Sequence, residues 1–142
     1  MIHVQTQVEI ERPIEDVFAY VSDPLTFPAW NSAVHSVRRA GPTTYVMERN
    51  LPSGPATNEI EVVARVPQRE FVFRTTSGPT PFEYRIRFTP SGRATLVELD
   101  VTASLRPVAD LLGPLARATV KRGVDENVAS LKALLERTKV SR

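Results

Sequence analysis

Val4, Thr6, Val8 and Ile10 alternate with His3, Gln5, Gln7, Glu9 and Glu11. This period of two is that of a strand with one buried face. Arg12-Pro13 ends the run, and a proline in the first turn of a helix forfeits no hydrogen bond. Ile14, Val17, Phe18 and Val21 then recur three or four apart, with Glu15 and Asp16 where a helix N-terminus favours acids. Asp23-Pro24 opens a second short helical turn that runs through Phe27, Pro28 and Trp30.

From there the pattern predicts an antiparallel meander, with strands at Ala33–Arg39, Thr43–Leu51, Thr57–Val66, Glu70–Thr76, Phe82–Thr89 and Ala94–Leu105. The links between them are short and rich in turn formers: Gly41-Pro42, Pro52-Ser53-Gly54-Pro55, Pro67-Gln68, Gly78-Pro79-Thr80-Pro81 and Pro90-Ser91-Gly92. A parallel crossover needs a dozen residues or more, so consecutive strands must run antiparallel.

The chain closes on a long amphipathic helix, from Pro114 to Arg137. Ala116, Val120, Val124, Val128, Leu131, Leu134 and Leu135 share one stripe, and Lys121, Arg122, Asp125, Lys132 and Glu136 lie opposite. Gly113-Pro114 interrupts a helical pattern that begins at Pro107 and runs to Leu112, which predicts a short lead-in, a break and then the main helix. Such a stripe must be buried, and the meander is its available partner. One sheet around one helix is therefore the expected fold, an arrangement that leaves room for a cavity between them.

A chain of 142 residues is expected to fold as one domain, 1–142, and buries about 68–70% of its unfolded surface. Eighteen basic and sixteen acidic residues leave a net charge of +2, with the basic residues scattered among acids rather than gathered in a stripe, so no nucleic acid partner is expected. The absence of cysteine excludes disulfides, thiolate metal sites and cysteine nucleophiles. Met1-Ile2-His3-Val4-Gln5 has neither the basic start nor the apolar run of a signal peptide, and no apolar stretch reaches spanning length. A cytoplasmic protein without stable membrane insertion is the expectation.

The order strand, two short helices, six-strand meander and long helix resembles the START-like superfamily with its helix-grip fold. In detail it is similar to the bacterial polyketide cyclase/dehydrase and lipid transport family. The motifs that carry the resemblance are Val8-Glu9-Ile10-Glu11-Arg12-Pro13 leading into Val17-Phe18-Ala19-Tyr20-Val21-Ser22-Asp23, then Trp30 before the second strand. Phe88-Thr89-Pro90-Ser91-Gly92 before Thr95 and the closing Leu131-Lys132-Ala133-Leu134-Leu135-Glu136 complete them. Ala94 departs from the family pattern, in which glycine is usual before Thr95. The resemblance implies an α+β fold: a curved seven-stranded antiparallel sheet gripping the C-terminal helix over an apolar pocket. It implies no particular substrate.

Alternation then assigns a concave face: Tyr45, Met47 and Arg49; Phe71 and Phe73; Phe82, Tyr84, Ile86 and Phe88; Val97, Leu99 and Val101. Any one of these can simply pack on the helix, but large rings opposite small helical residues imply unfilled volume. The candidate ligand-binding residues are Trp30, Tyr45, Met47, Arg49, Phe71, Phe73, Tyr84, Phe88, Leu99, Val101, Val120, Gly123, Val124 and Asn127. Gly123 costs about 1 kcal/mol in a helix relative to alanine, so it either accommodates a close neighbour or leaves space. Arg49 has an inward phase and would suit an acidic ligand group. The simpler expectation is that its strand ends or bulges near Pro52, so that its side chain reaches solvent. Arg117, within the stripe, is read as an arginine snorkelling to water near an open end.

No phosphate loop, His-x-x-x-His pair or nucleophile elbow is present. His3 and His35 have no carboxylate partner visible by spacing, so no metal or acid–base role is expected. The pattern therefore predicts a binder of a small hydrophobic molecule, such as a lipid, polyketide or aromatic metabolite, acting as monomer or homodimer without cofactor. An enzyme of the cyclase/dehydrase kind, drawing on Arg49, Tyr45 or Tyr84, is the alternative. A third is an interaction module that uses the outer face of the sheet.

Overall fold

A computed structural model of the chain describes residues 2–51, 54–104 and 114–140, the side chains of 138–140 excepted. The elements follow as β1 (Ile2–Ile10), α1 (Ile14–Val21), a 3-10 turn (Pro24–Thr26), α2 (Phe27–Trp30), β2 (Val34–Arg39), β3 (Thr44–Leu51), β4 (Gly54–Val66), β5 (Glu70–Ser77), β6 (Phe82–Ser91), β7 (Ala94–Ala103) and α3 (Pro114–Val140). The strands form one antiparallel sheet in the order β1-β7-β6-β5-β4-β3-β2. Sequential hairpins build six of them, and β1 joins by pairing with β7, Val4 opposite Val101 and Ile10 opposite Thr95. β7 ends at Ala103, short of the expected Leu105, and the expected lead-in helix over 107–112 lies outside the described residues.

Several strand limits differ from the pattern, by one to three residues, and two of the differences are instructive. β4 begins at Gly54 rather than Thr57, with Leu51 paired to Gly54 and Asn50 to Pro55. β6 continues through Pro90 to Ser91, and Ser91 faces Ala94 across a tight turn whose Gly92 has φ 62°. Pro90 is tolerated because β5 stops short of it: the pairing of β5 with β6 ends at Glu70–Arg87. The missing N–H therefore interrupts no ladder bond on that side. Ala94 stands paired in β7, so the departure from glycine leaves the strand intact.

Register shifts between Val34 and Ser36, Glu59 and Ile60, and Val62 and Ala64 bend the β2–β5 half of the sheet. The concave face packs on α1, α2 and α3. Ala116, Val124, Val128, Leu131 and Leu135 of α3 are buried, with Val120 partly so. On β1, Ile2, Val4 and Ile10 are buried and Val8 packs against the same core.

Polar ties fix α3 at two heights. Near its C-terminal end, Arg12 Nη1 donates to Leu135 O at 2.7 Å, and Lys132 Nζ donates to Glu9 O at 2.6 Å. Midway, Asn127 Nδ2 donates to Asn31 Oδ1 at 3.1 Å and Asn127 Oδ1 accepts from Ser32 N at 3.2 Å. Asn127 thus pins the helix to the corner between α2 and β2. Arg117 is exposed, as expected, and its Nε donates to His3 O at 3.2 Å. Among the described residues no helix is long and apolar enough to cross a membrane.

The convex face carries charge pairs: Arg85–Glu70 at 2.6 Å, Arg74–Glu61 at 3.7 Å and Arg87–Asp100 at 3.6 Å. His3 does have a carboxylate partner after all. Pairing of β1 with β7 sets its Nε2 2.7 Å from Asp100 Oδ1, a partner 97 residues away that spacing along the chain cannot reveal.

Hydrogen bonds from Gln5 and His3, and then the charge of Arg87, hold the Asp100 carboxyl below its ordinary range. A carboxyl depressed in the folded state contributes stability above about pH 4, and that contribution is lost as pH falls through the folded value. Urea unfolding between pH 5 and pH 2 should therefore show a shallower loss of stability for Asp100→Asn than for the wild type. An unchanged acid slope would show that this network does not contribute to folding.

Candidate functional site: a cavity between the sheet and the C-terminal helix

A cavity of about 170 Å³ lies between the concave face and the first half of α3. The sheet supplies Met47, Arg49, Phe73, Phe82, Tyr84, Val101 and Ala103. Helix α3 supplies Thr119, Val120, Gly123, Val124 and Asn127, and the α2–β2 corner supplies Phe27, Trp30, Asn31, Ala33 and Val34. A Cβ built on Gly123 meets nothing within 4 Å, so its missing side chain leaves open space rather than room for a neighbour.

Cross-strand register explains why these side chains meet. Phe73 faces Tyr84, and Tyr84 faces Val101, while Phe82 faces Ala103, so one row crosses three strands on one face. The Phe73 and Tyr84 rings stack at 5.0 Å, and Phe82 stands edge-on to both, at 6.0 and 5.6 Å. Phe27 closes on Phe73 at 4.8 Å and on Trp30 at 5.7 Å. Aromatic side chains thus form much of the wall.

Four of the candidate residues do not line this cavity. Phe71 is fully buried beneath Phe73, with centroids 5.4 Å apart, and Leu99 is buried within the same core. Phe88 meets Phe18 of α1 edge-on at 5.1 Å. Tyr45 lines a separate surface cleft with Asp23, Arg39 and Arg65, the Arg39 guanidinium lying 5.2 Å from its ring centroid. Alternation identifies the face of a strand but not how far along it the helices cover the face. Here α1 and the Leu131–Leu135 end of α3 fill one end, and the cavity is left at the other.

Several lining residues were not among the candidates. Phe82 and Ala103 are in phase with Tyr84 and Val101, and Thr119 sits one helical turn before Gly123, so each was open to the same periodic argument. Phe27, Asn31, Ala33 and Val34 lie on a corner with no period, and nothing in the sequence marked them.

Arg49 corrects the simpler expectation of a solvent-directed side chain. Strand β3 runs past it to Leu51, with Arg49 paired to Ala56, so its inward phase persists. Its Nη1 donates to Asn58 Oδ1 at 3.0 Å, Thr80 Oγ1 at 3.0 Å and Thr80 O at 3.3 Å, and the guanidinium lies 4.8 Å from the Phe82 centroid. Asn58 is wholly buried, and its Nδ2 donates to Ser77 O at 3.0 Å and Pro79 O at 2.9 Å. This amide therefore fixes both the arginine and the 78–81 turn. Gly78 completes the turn at φ 99°, where a Cβ would collide with Thr57 O.

Burial pulls the Arg49 guanidinium below its ordinary range, offset by the facing Tyr84. Burial likewise pushes the Tyr84 phenol up, offset by Arg49 and by a hydrogen bond with the Asn31 side chain. Tyr84 keeps some accessible surface because it borders the cavity, yet protein surrounds it. A raised phenol pKa keeps Tyr84 a neutral donor. Trp30, 3% exposed, has an indole N–H without a partner among the described residues. Among the described residues no His, Asp or Glu lines the cavity, and there is no cluster able to hold a metal ion.

The chain belongs to the polyketide cyclase/dehydrase and lipid transport family, whose model matches residues 1–136. The helix-grip layout agrees with that membership. Among solved structures it is similar to a conserved protein from Geobacillus kaustophilus, with TM-score 0.82 and 16% identity over 96% of this chain and 97% of that one. A START superfamily protein from Mycobacterium smegmatis aligns with TM-score 0.78 and 20% identity, over 96% and 98% of the two chains. The di-domain ARO/CYC StfQ from the steffimycin biosynthetic pathway aligns with TM-score 0.73 and 18% identity, over 97% of this chain and 51% of that one. At these identities the likeness concerns the fold. A comparison with curated proteins gives no match.

Asn58 and Arg49 should respond unequally to removal. Asn58→Leu orphans two backbone carbonyls and releases Arg49, and should cost about 2–4 kcal/mol in urea unfolding. Arg49→Leu removes a desolvated charge while orphaning one amide oxygen, so its effect should stay within about 1.5 kcal/mol of zero. Equal losses for both variants would mean that Arg49, rather than Asn58, holds the turn.

Proposed function

We infer that the protein binds a small hydrophobic molecule in the cavity between the concave face and α3. The observation that carries this reading is Gly123. A glycine within a helix, at a site where a Cβ would touch nothing, gives up helix stability without a packing return. Empty volume beside it, walled by Phe73, Phe82, Tyr84 and Val101, is the return that a ligand site provides. Family membership supports the same reading.

A cyclase/dehydrase-type enzyme is the second reading, and the Arg49–Tyr84 pair favours it, since two donors can polarise a carbonyl. Binding is preferred because both groups donate and the described residues lining the cavity include no carboxylate or imidazole to accept a proton. An interaction module would need a filled interior and an apolar outer face. The cavity and the charge pairs of the convex face argue against it.

Trp30 is the single tryptophan and lines the cavity, so its fluorescence reports occupancy directly. Toluene should perturb that emission saturably in the wild type. Gly123→Leu should keep or raise the melting temperature and weaken toluene binding at least tenfold, about 1.4 kcal/mol. A variant that melts early yet binds toluene as the wild type does would place the ligand site elsewhere.

A further inference from the structure

Arg49 is a half-buried cation to which the described lining of the cavity offers no counter-charge. Among the described residues it makes no ion pair, and the groups it bonds, Asn58 and Thr80, are neutral. All its hydrogen bonds leave from Nη1, so Nε and Nη2 have no described acceptor. Nearby, the Trp30 indole N–H is buried and unpartnered among the described residues, and the Tyr84 phenol stays protonated. Three donors, one of them charged, thus border a cavity whose remaining walls are aromatic and aliphatic. A desolvated cation and an orphaned donor are costly unless something accepts from them. A bidentate carboxylate matches the geometry of a guanidinium fork.

Size limits the body of that acid. A cavity of about 170 Å³ is well below the range of roughly 300–1,000 Å³ typical for drug-sized ligands. It is close to the roughly 150 Å³ that accommodates a benzene molecule in an apolar protein interior. The stacked and edge-on rings of Phe73, Phe82, Tyr84 and Phe27 present faces and edges to one flat ring.

We propose that the cavity selects a monocyclic aromatic carboxylic acid, its ring among Phe73, Phe82 and Tyr84 and its carboxylate on Arg49, with multi-ring acids and long acyl chains excluded by volume. The proposal rests on the cavity being the ligand site, as argued above, and adds the charge and the size of the ligand.

Calorimetric titration of the full chain tests it with phenylacetate, phenylacetamide, anthracene-2-carboxylate and palmitate, alongside toluene read through Trp30. Phenylacetate should bind at least tenfold more tightly than phenylacetamide, and at least tenfold more tightly than either larger acid. Arg49→Leu should bring phenylacetate and phenylacetamide within about twofold. Arg49→Lys, which keeps the charge, should retain a preference for the acid, and serves if the leucine variant fails to fold. Equal wild-type affinity for acid and amide would overturn the anionic pole while leaving the hydrophobic site intact. Anthracene-2-carboxylate binding as tightly as phenylacetate would overturn the size limit. Failure of toluene itself to bind would remove the cavity reading on which the proposal stands.

Discussion

The structure turns on a mismatch in volume between a curved sheet and the one helix it grips. Register shifts in β2–β5 bend the sheet, and six consecutive hairpin-linked strands commit a full row of inward side chains to one face. Toward its C-terminal end α3 offers Val128, Leu131 and Leu135, and the interior closes there. Toward its N-terminal end it offers the smaller Val120, Gly123 and Val124, which line the cavity across from Phe73, Tyr84 and Val101. A protein interior normally packs to the density of an organic crystal. The graded size of the helical side chains prevents that in one place and so creates the cavity.

Holding a cation at the edge of that cavity requires a support of its own. Asn58, without solvent exposure, spends its amide on Arg49, Ser77 and Pro79, and Gly78 permits the close approach of the turn that makes this possible. Arg49 is held through one nitrogen and left with donors to spare. The convex face follows the reverse logic. Several of its charges are paired across strands, as at Arg85–Glu70 and His3–Asp100.

The fold was legible because local signals agreed with one another. Turn formers at regular intervals force antiparallel neighbours, Pro13 and Pro24 mark helix starts, and the stripe from Ala116 to Leu135 needs a sheet to cover it. The deviations fall where local chemistry is permissive. Gly54 and Pro55 look like turn residues yet pair at a strand start, and Pro90 extends an edge where no neighbour needs its N–H.

The sequence by itself determined which face of each strand points inward and which helical positions are small, since period-two and 3.6-residue patterns depend only on backbone geometry. It therefore marked Met47, Phe73, Tyr84, Val101 and Gly123 correctly as inward, and Tyr45, Phe71 and Phe88 just as correctly, though these border no cavity. Depth along a strand has no period. Where α1 lands on Phe88, where the α2 corner lifts Trp30 and Asn31 over the opening, and whether β3 continues through Arg49 depend on contacts between residues far apart in the chain. Only the tertiary structure decided these, because the space left between elements is a property of their packing rather than of any one of them.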